Sequence, residues 1–445
     1  MNRRRSHATL TLLLSFLMTG LPQTRTEART LEDAPRAGGP ISGLTPDQQQ
    51  LFILGSIFAG VPHSVLGTEP GAPANALGPR FNGVSCTSCH AHPSLGGTSP
   101  SVNPQVELAT HFGATNKVPF FIKENGPIRE ARFRFKKDGS PDGGVHAIYT
   151  ITGRQDAGSC VLGQPDFEAE ARVNNLSFRI PTPMFGLGMV EMISDSTILG
   201  NKNADSDRKR KLRIKGKENR NGNDGTISRF GWKAQNVSLE MFSAEAYNVE
   251  TGVTNDIFQT ERDETSGCAL NPRPEDTANF SAPPPFAGLS AMVAFVQFNK
   301  FLAPPSRGTE TDSTRNGERL FSKVGCALCH TPTLTTDRSP IAAFDSKPVN
   351  LYSDLLLHRM GPDLADHITQ GDAGPDEFRT APLWGVGQRL FFLHDGRTDD
   401  LMTAIRAHAS GNVLSCRSEA NHVIKNFKAL SEQEKQDIVN FLRIL

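Results

Sequence analysis

The sequence predicts a mainly α-helical fold with long irregular loops, organised as two similar modules. The pentapeptide Cys-x-x-Cys-His occurs twice, at positions 86–90 and at positions 326–330. Helices that begin with capping boxes flank these sites. The 445 residues also include 40 Gly and 30 Pro, which favours long irregular connections over a regular α/β alternation.

The two pentapeptides predict two covalently bound haem c groups, and therefore two cytochrome c-like haem modules. Two thiols three residues apart can each add to a haem vinyl group, and the histidine that follows then lies beneath the iron as its proximal ligand. The residues predicted to hold the haems are Cys86, Cys89, His90, Cys326, Cys329 and His330.

Two other kinds of cysteine site compete with this interpretation. The four cysteines of the pentapeptides could form a Cys₄ zinc site, but the histidine directly after each pair would then be unexplained. A thioredoxin-like redox pair would require a βαβ setting, which neither flanking sequence suggests.

Residues 1–28 are typical of an export signal. Arg3 to Arg5 form a positive region, Leu10 to Leu17 are apolar, and Thr26-Glu27-Ala28 could precede cleavage. We therefore expect a periplasmic protein, because bacteria attach c-type haem outside the cytoplasm. The apolar run is short for a membrane span, so no integral span is expected after cleavage, although an uncleaved signal anchor is the alternative.

Three cysteines lie outside the pentapeptides: Cys160, Cys268 and Cys416. An oxidising compartment makes a disulfide between Cys160 and Cys268 plausible, with Cys416 free or paired elsewhere. The spacing of the cysteines alone does not determine which of them pair.

The mature chain divides into three predicted parts. An N-terminal haem module with insertions covers residues 29–285, and its first helix should begin at the capping box Thr45–Gln48. Residues 286–306 form a linker helix, predicted over 286–302 between two proline-rich stretches. A C-terminal cytochrome c domain covers residues 307–445 and should end in a helix that begins at the capping box Ser431–Glu434.

The charges of the chain are balanced, with 47 Lys plus Arg and 47 Asp plus Glu. Bulk charge therefore gives no reason to expect a nucleic-acid partner. Residues 202–225 contain a local cluster of basic side chains. It is either a solvated surface segment or a docking patch for an acidic electron-transfer partner.

Two further segments of the chain are repeated. Phe178–Gly188 and Phe378–Gly387 share Phe-Arg, then Pro, an apolar residue, an aromatic residue, Gly, any residue and Gly. A fainter repeat aligns Phe230-Gly231-Trp232-Lys233 with His394-Asp395-Gly396-Arg397, each followed by a leucine, Leu239 or Leu401. The sequence therefore indicates a duplicated module.

The motifs together resemble the bacterial di-haem oxidoreductase family, which is itself similar to the di-haem cytochrome c peroxidases and to the di-haem enzyme of methylamine dehydrogenase maturation. The resemblance covers about residues 45–445 and is most specific from 317 to 408. The segments that carry it are Gly317–Phe321, Gly325–Pro332, Ser353–His358, Phe378–Gly385 and Leu393–Arg397.

The resemblance implies unequal haems. In the peroxidase relatives the C-terminal haem is six-coordinate and passes electrons, whereas peroxide reacts at the N-terminal haem. Their distal Met or Tyr ligand follows the His-x-Gly motif at a fixed interval, which here leads from His394 to His408. Bis-histidine ligation would lower the potential of the second haem relative to His/Met ligation. The corresponding position in the first half is Ala246, which cannot bind iron.

An open first haem would need a group that moves a proton between the two oxygen atoms of bound peroxide, and a carboxylate can do this. The candidates are Glu245, Glu250 and Glu191, with Glu245 preferred. His111 is a candidate resting ligand of the first haem. Trp232 and Trp384 could each relay an electron between the haems or simply be buried in the core.

The sequence therefore predicts an exported di-haem oxidoreductase that reduces hydrogen peroxide, with electrons passing from the C-terminal to the N-terminal haem. A small periplasmic cytochrome or cupredoxin is the expected donor, and calcium between the modules is a further expectation from the family. The alternatives are a di-haem electron-transfer cytochrome without peroxidase activity, and a haem oxidase that modifies a partner protein.

Overall fold

The computed structural model describes residues 37–69, 77–261, 265–281, 283, 285–411 and 417–445. The predicted signal peptide and Cys416 lie outside the described residues. The helices are α1 Pro46–Gly60, α2 Pro104–His111, α3 Phe167–Arg172, α4 Leu187–Glu191, α5 Asp195–Asn203, α6 Ser206–Leu212, α7 Leu239–Val249, α8 Ala291–Phe301, α9 Asp312–Val324, α10 Leu401–Ala407, α11 Asn421–Lys428 and α12 Glu432–Arg443.

The strands are short and lie between the helices. They are β1 Glu130–Phe133, β2 His146–Ala147, β3 Leu176–Arg179, β4 Asn219–Arg220, β5 Ile227–Ser228, β6 Leu334–Thr335, β7 Pro348–Val349, β8 Leu357–Arg359 and β9 Glu377–Arg379. β1 is the central strand of an antiparallel sheet in the order β2-β1-β3, and the other strands pair as β4-β5, β6-β7 and β8-β9. The described chain is thus mainly helical with long irregular loops, as predicted.

The predicted capping boxes are present at both ends of the chain. Thr45 caps α1 by accepting a hydrogen bond from the backbone N–H of Gln48, and the Gln48 side chain accepts from the N–H of Thr45. Ser431 and Glu434 form the same reciprocal pair at the start of α12. These bonds satisfy backbone donors that have no partner inside the helix.

Helix α8 begins later than the sequence predicts, at Ala291 instead of Phe286. The Ser290 hydroxyl accepts a hydrogen bond from the N–H of Val293, and the carboxylate of Asp276 accepts from the N–H groups of Ala291 and Met292. A local serine and an acidic side chain from an upstream loop therefore fix this helix start together. A capping residue 15 positions away leaves no local signal in the sequence.

The same helix pairing occurs in both halves of the chain. α1 packs against α8, and α9 packs against α12. Gly55 of α1 allows close approach, because a Cβ there would collide with the carbonyl oxygen of Ala294; Gly317 of α9 has the same relation to the carbonyl oxygen of Asp437. α8, predicted as a linker, is thus the counterpart of the C-terminal helix α12.

The two repeats seen in the sequence also have matching backbones. Phe178-Arg179 ends β3 and Phe378-Arg379 ends β9, and each is followed by a left-handed glycine, Gly186 or Gly385, with φ of 67°. A Cβ on the second glycine of each repeat, Gly188 or Gly387, would collide with a backbone oxygen of α8 or α12.

The fainter repeat is real, but its alignment is shifted by two residues from the sequence match. Phe230 forms an isolated bridge with Asn236, and Phe392 forms the equivalent bridge with Thr398. This register makes Trp232, and not Phe230, the counterpart of His394. It preserves the correspondence of Ala246 with His408, because α7 and α10 each begin three residues after the bridge.

The described core is divided into several hydrophobic clusters. The largest joins residues of α1, α4, α7 and α8 to the segment 334–356 and Trp384, and a second cluster joins α9, α11 and α12 to Ile214 and Tyr352. A separate cluster covers one face of the β2-β1-β3 sheet. The described residues from 37 onward form one compact unit.

A disulfide joins Cys160 to Cys268 and closes a loop with a sequence separation of 108. This is the pairing that the sequence made plausible. Within the described residues, no helix is both long and apolar enough to cross a bilayer.

Candidate functional site

Each predicted haem-binding pentapeptide forms a single 3₁₀ turn, over Cys86–Ser88 or Cys326–Leu328. The backbone N–H of His90 donates to the carbonyl of Cys86, and that of His330 donates to the carbonyl of Cys326. None of the four thiols forms a disulfide. Both turns therefore present two thiols and a histidine together, as covalent haem attachment requires.

The second pentapeptide borders a cavity of about 230 Å³. We call it the second cavity. Most of its lining is apolar, and it is bounded by α9, α10 and α11 together with Ile180, Pro181 and Trp232 from the first half of the chain.

His330 and His408 face each other across the second cavity with ring centroids 6.5 Å apart. The Nδ1–H of His330 donates to the carbonyl of Tyr352 at 3.0 Å, and that of His408 donates to the carbonyl of Ala404 at 2.8 Å. Burial lowers the pKa of both imidazoles, that of His330 to about 4. Both rings are thus held neutral with Nε2 available for a metal.

This arrangement fits an iron between the two rings. Two metal–imidazole bonds of about 2 Å, with about 1 Å from each Nε2 to its ring centre, give a centroid separation of about 6 Å. Arg379, which is buried, and Arg389, which is partly buried, also line the second cavity, and desolvation lowers the pKa of each guanidinium to about 10. Such cations can pair with haem propionates.

The first pentapeptide borders a smaller and more polar cavity of about 60 Å³, which we call the first cavity. The Nδ1–H of His90 donates to the carbonyl of Gly97 at 3.1 Å, and burial lowers the pKa of His90. His90 therefore has the same ligand-competent orientation as His330. Ala246, the counterpart of His408, lines this cavity.

The β2-β1-β3 sheet supplies a charged wall to the first cavity. Arg132 pairs with His146 in the sheet register, and Glu130 pairs with Arg179, so these four side chains share one face. All four line the first cavity. The neighbouring residues on the opposite face, such as Ala131 and Phe178, pack in the apolar cluster behind the sheet.

The polar groups on this wall contact one another. Nδ1 of His146 lies 2.6 Å from a carboxylate oxygen of Glu130. The guanidinium of Arg132 donates to Nε2 of the same imidazole. Burial, and then the charge of Arg132, lower the pKa of His146 to about 3. His146 is therefore a neutral imidazole fixed between a carboxylate and a guanidinium.

Helix α7 and the residue that follows it supply two more carboxylates. Glu245 lines the first cavity and accepts a hydrogen bond from the side chain of Asn236 at 2.5 Å. Glu250 also lines it, 3.9 Å from Nε2 of His146. Burial, and then the nearby charge of Glu130, raise the pKa of Glu250 to about 7, so this carboxyl can accept or release a proton near neutral pH.

Two other residues singled out in the sequence lie away from the lining of the first cavity. The Glu191 carboxylate accepts a hydrogen bond from the N–H of Leu239 at 2.8 Å and thereby caps α7. Nε2 of His111 lies 2.9 Å from Glu69, and its side chain is 53% exposed.

The two tryptophans have different environments. Trp232 lines both cavities, and its indole N–H donates to the carbonyl of Ile180 at 3.0 Å. Its ring contacts that of His394 at a centroid distance of 6.4 Å. Trp384 is buried in the largest hydrophobic cluster, against Gly186.

Two groupings of possible metal ligands occur among the described residues: Glu130, His146 and Glu250, and Cys329, Asp354 and His358. Calcium usually takes six to eight oxygen ligands. Neither grouping offers that many, so calcium stays a prediction.

The profile of the protein family described as "Di-haem oxidoreductase, putative peroxidase" matches residues 162–445. This is more than half of the chain, and it includes the second pentapeptide, α7 and His408. A comparison with curated proteins finds no match.

Two solved structures show weak similarity to the chain. Hydrazine synthase of Kuenenia stuttgartiensis aligns over 96% of this chain and 100% of its own, with 12% identity and a TM-score of 0.38. A MauG-like protein associated with microbial copper homeostasis aligns over 35% of this chain and 56% of its own, with 18% identity and a TM-score of 0.24. Alignments with such TM-scores establish no common fold.

Proposed function

We propose, on the premise that this chain belongs to the di-haem oxidoreductase family, that it is an exported c-type di-haem enzyme that reduces hydrogen peroxide to water. In this proposal Cys86, Cys89, Cys326 and Cys329 attach two haems covalently. His90 and His330 are the proximal ligands, and His408 is the sixth ligand at the second site.

The difference between the two cavities is the observation that carries the proposal. The second cavity places His408 opposite His330, whereas the first cavity has Ala246 at the corresponding position. Histidine can close an iron site and alanine cannot, so the first site keeps one face available to a small molecule. An enzyme needs such an open site, and a simple electron carrier does not.

Haem iron, when bound, would supply the redox chemistry, and the protein would control access and protons. Reduction of one peroxide molecule to two water molecules consumes two electrons and two protons. Glu245 and Glu250 are the proposed proton carriers, because both carboxylates line the first cavity. Glu191 is the weaker candidate, because its carboxylate is occupied at the start of α7.

His146 and Arg132 have a supporting role in this proposal. Glu130 orients the imidazole of His146 from one side, which directs Nε2 towards Arg132 and Glu250. The guanidinium of Arg132 is a hydrogen-bond donor and a fixed positive charge, and either property would stabilise negative charge that develops on a bound oxygen.

Electrons would reach the first site from the second through Trp232. The indole lines both cavities and contacts His394, so it lies on the direct path between them. A small periplasmic cytochrome or cupredoxin would supply the electrons. A periplasmic location agrees with the disulfide between Cys160 and Cys268, since disulfides persist in oxidising compartments.

Electron paramagnetic resonance of the purified protein tests the proposal. We expect one high-spin and one low-spin ferric signal, with only the high-spin signal lost on addition of peroxide. Ala246→His should convert the high-spin signal to low spin, whereas the control Ala246→Leu should leave it high spin. His408→Ala should convert the other signal to high spin.

Two low-spin signals that do not respond to peroxide, even after partial reduction, would contradict the peroxidase and favour the electron-transfer cytochrome. Mass spectrometry that finds no added porphyrin at either pentapeptide would contradict covalent haem attachment itself.

A further inference from the structure

We propose that a basic surface beside the second haem-binding pentapeptide is the docking site of an acidic redox protein. This proposal rests on the proposed function, because it assumes a haem on Cys326 and Cys329. The surface consists of Arg208 and Lys211 of α6, Lys323 of α9 and Lys425 of α11, and we call it the basic patch.

Helix α6 is attached to the C-terminal end of α9. The guanidinium of Arg208 donates to the carbonyl oxygens of Ser322 and Lys323, the latter at 2.8 Å. A Cβ placed on Gly325 would lie 2.8 Å from the Leu212 side chain, so the end of α6 lies directly against this glycine. The basic segment 202–225 is therefore partly a packed helix over α9.

Helix α11 approaches the same point from another side. The Asn426 side chain donates to the carbonyl of Val324 at 3.0 Å. A Cβ on Gly325 would also lie 3.2 Å from the side chain of Val423. Three helices that each carry exposed cations thus converge on Val324 and Gly325.

This point of convergence is next to the second pentapeptide. Val324 and Gly325 directly precede Cys326, and both Cys326 and Ala327 are partly exposed. A haem attached to Cys326 would therefore begin one residue from this point of convergence. A redox partner that docks here would have a short path along the chain to the second haem site.

The charges of the patch remain available to a partner. Lys211, Lys323 and Lys425 are exposed, and none forms an ion pair within 4.0 Å with any other described residue. Two carboxylates lie nearby: Asp207 is bound to Arg210, and Glu434 accepts a hydrogen bond from the N–H of Ser431. Because the whole chain has no net charge, the patch is a local positive field on a neutral protein.

An acidic partner is the occupant that these observations favour. Unpaired lysines around a redox centre speed the encounter with an oppositely charged protein and orient it. The partner would be a small protein whose own metal site is ringed by carboxylates, and one electron would pass between the two metal centres.

Stopped-flow oxidation of the reduced protein by oxidised plastocyanin, an acidic cupredoxin, tests the proposal. One electron leaves the second haem and reduces Cu²⁺ to Cu⁺. The second-order rate constant should fall as ionic strength rises. In the triple variant Lys211→Glu, Lys323→Glu, Lys425→Glu we expect it to fall about tenfold at low ionic strength, because steering depends on local charge.

The matched control is Lys117→Glu, Lys123→Glu, Lys137→Glu, which makes the same charge change at exposed lysines of the first half. It should change the rate constant less than about twofold. A basic cytochrome c used as the oxidant should react faster with the patch variant than with the wild type. Circular dichroism and thermal melting would show that both variants are folded.

Equal rate constants for the patch and control variants would overturn the proposal. A second result would also overturn it: the wild type binds phosphatidylserine vesicles, and the patch variant loses this binding but reacts with plastocyanin at an unchanged rate. The surface would then be a membrane contact. Absence of haem from Cys326 and Cys329 in mass spectra would instead show that the proposed function has failed.

Discussion

Glu245 is the carboxylate that α7 places in the first cavity immediately before Ala246. Asn236 donates a hydrogen bond to this carboxylate and so holds it in position. In Glu245→Gln we expect peroxide turnover to fall about 10²-fold, since a general acid–base group contributes at least this much. Steady-state peroxidase assays with a reduced artificial donor would measure the change.

The control for this prediction is Glu240→Gln, on the exposed face of the same helix, which should turn over peroxide like the wild type. Unchanged turnover in Glu245→Gln, with an unchanged resting spectrum, would exclude Glu245 and leave Glu250 as the candidate.

Glu218 provides a pH test that does not depend on haem. Its burial alone would raise its pKa, but hydrogen bonds from Lys202 and Arg220 outweigh this and lower the pKa to about 2. A carboxyl with a depressed folded pKa stabilises the protein above its unfolded pKa, and this stabilisation is lost as pH falls through the folded value.

Glu218→Gln should therefore lower the free energy of unfolding by about 1 kcal/mol at pH 7, a modest value because its partners are partly exposed. The difference in the free energy of unfolding between the variant and the wild type should shrink as pH falls from about 4 towards 2. Urea unfolding at a series of pH values would measure this. The exposed Glu124→Gln is the control, and a difference that grows on acidification would refute the assignment.

At the residue scale, the sequence predicted the place of a side chain in the site where the spacing of residues within one segment determines that place. The pentapeptides place two thiols and a histidine on one turn, and a count from His394 leads to His408. Glu130 and Arg132 gave no such signal. They reach the first cavity only because β1 pairs with β2 and β3, and strands of two to four residues are too short to show a periodic pattern.

At the scale of helices, the close packing of α1 on α8 depends on Gly55. Any side chain there would meet the backbone of Ala294 and the ring-bearing side chain of Phe298. Gly55→Ala should lower the free energy of unfolding by about 2 kcal/mol, the usual effect of an overpacked core contact. Chemical denaturation would measure the loss.

Gly200 of α5 is the matched control, because nothing lies within 4 Å of a Cβ placed there. Gly200→Ala should stabilise the protein by up to about 1 kcal/mol, since alanine restricts the unfolded chain and favours the helix. A Gly55→Ala variant as stable as the wild type would show that α1 and α8 can separate at little cost.

Capping boxes in the local sequence predicted the starts of two helices, whereas carboxylate caps from distant residues could not be predicted. Thr45 and Ser431 each sit three residues before their capping partner, and both helix starts were predicted. α7 and α8 have local serine caps, Ser238 and Ser290, and a distant carboxylate supports each start in addition. These carboxylates belong to Asp276 for α8 and to Glu191, 48 residues away, for α7. Such caps are formed by tertiary structure and leave no short-range pattern.

At the scale of the whole molecule, the disulfide between Cys160 and Cys268 restrains the unfolded chain over a long loop. Replacing both cysteines by serine should lower the free energy of unfolding by about 2–4 kcal/mol, because the unfolded state gains conformational freedom. Urea titration would measure this. After treatment with a reductant, the wild type should unfold at nearly the same urea concentration as the variant. Equal urea midpoints for the untreated wild type and the variant would contradict the prediction.

The repeat of the chain was visible in the sequence, but the way in which the two copies meet was not. In the sequence, the short motif around Trp232 aligns best with Phe230 opposite His394. The isolated backbone bridges show that the correct alignment is shifted by two residues. Only that correction reveals that Trp232 and His394 are equivalent positions. Tertiary contacts decide the register here because the two segments share almost no identical residues.

The contact between Trp232 and His394 has a consequence for the internal symmetry of the chain. Equivalent positions of two copies touch each other only where a two-fold axis passes, as in an isologous dimer. The backbone hydrogen bonds around this contact are nearly equivalent in the two copies. The backbone N–H of Arg379 donates to the carbonyl of Trp232, and the backbone N–H of Ile180 donates to the carbonyl of His394. The two copies thus meet with approximate two-fold symmetry, which is broken where one copy has His408 and the other has Ala246.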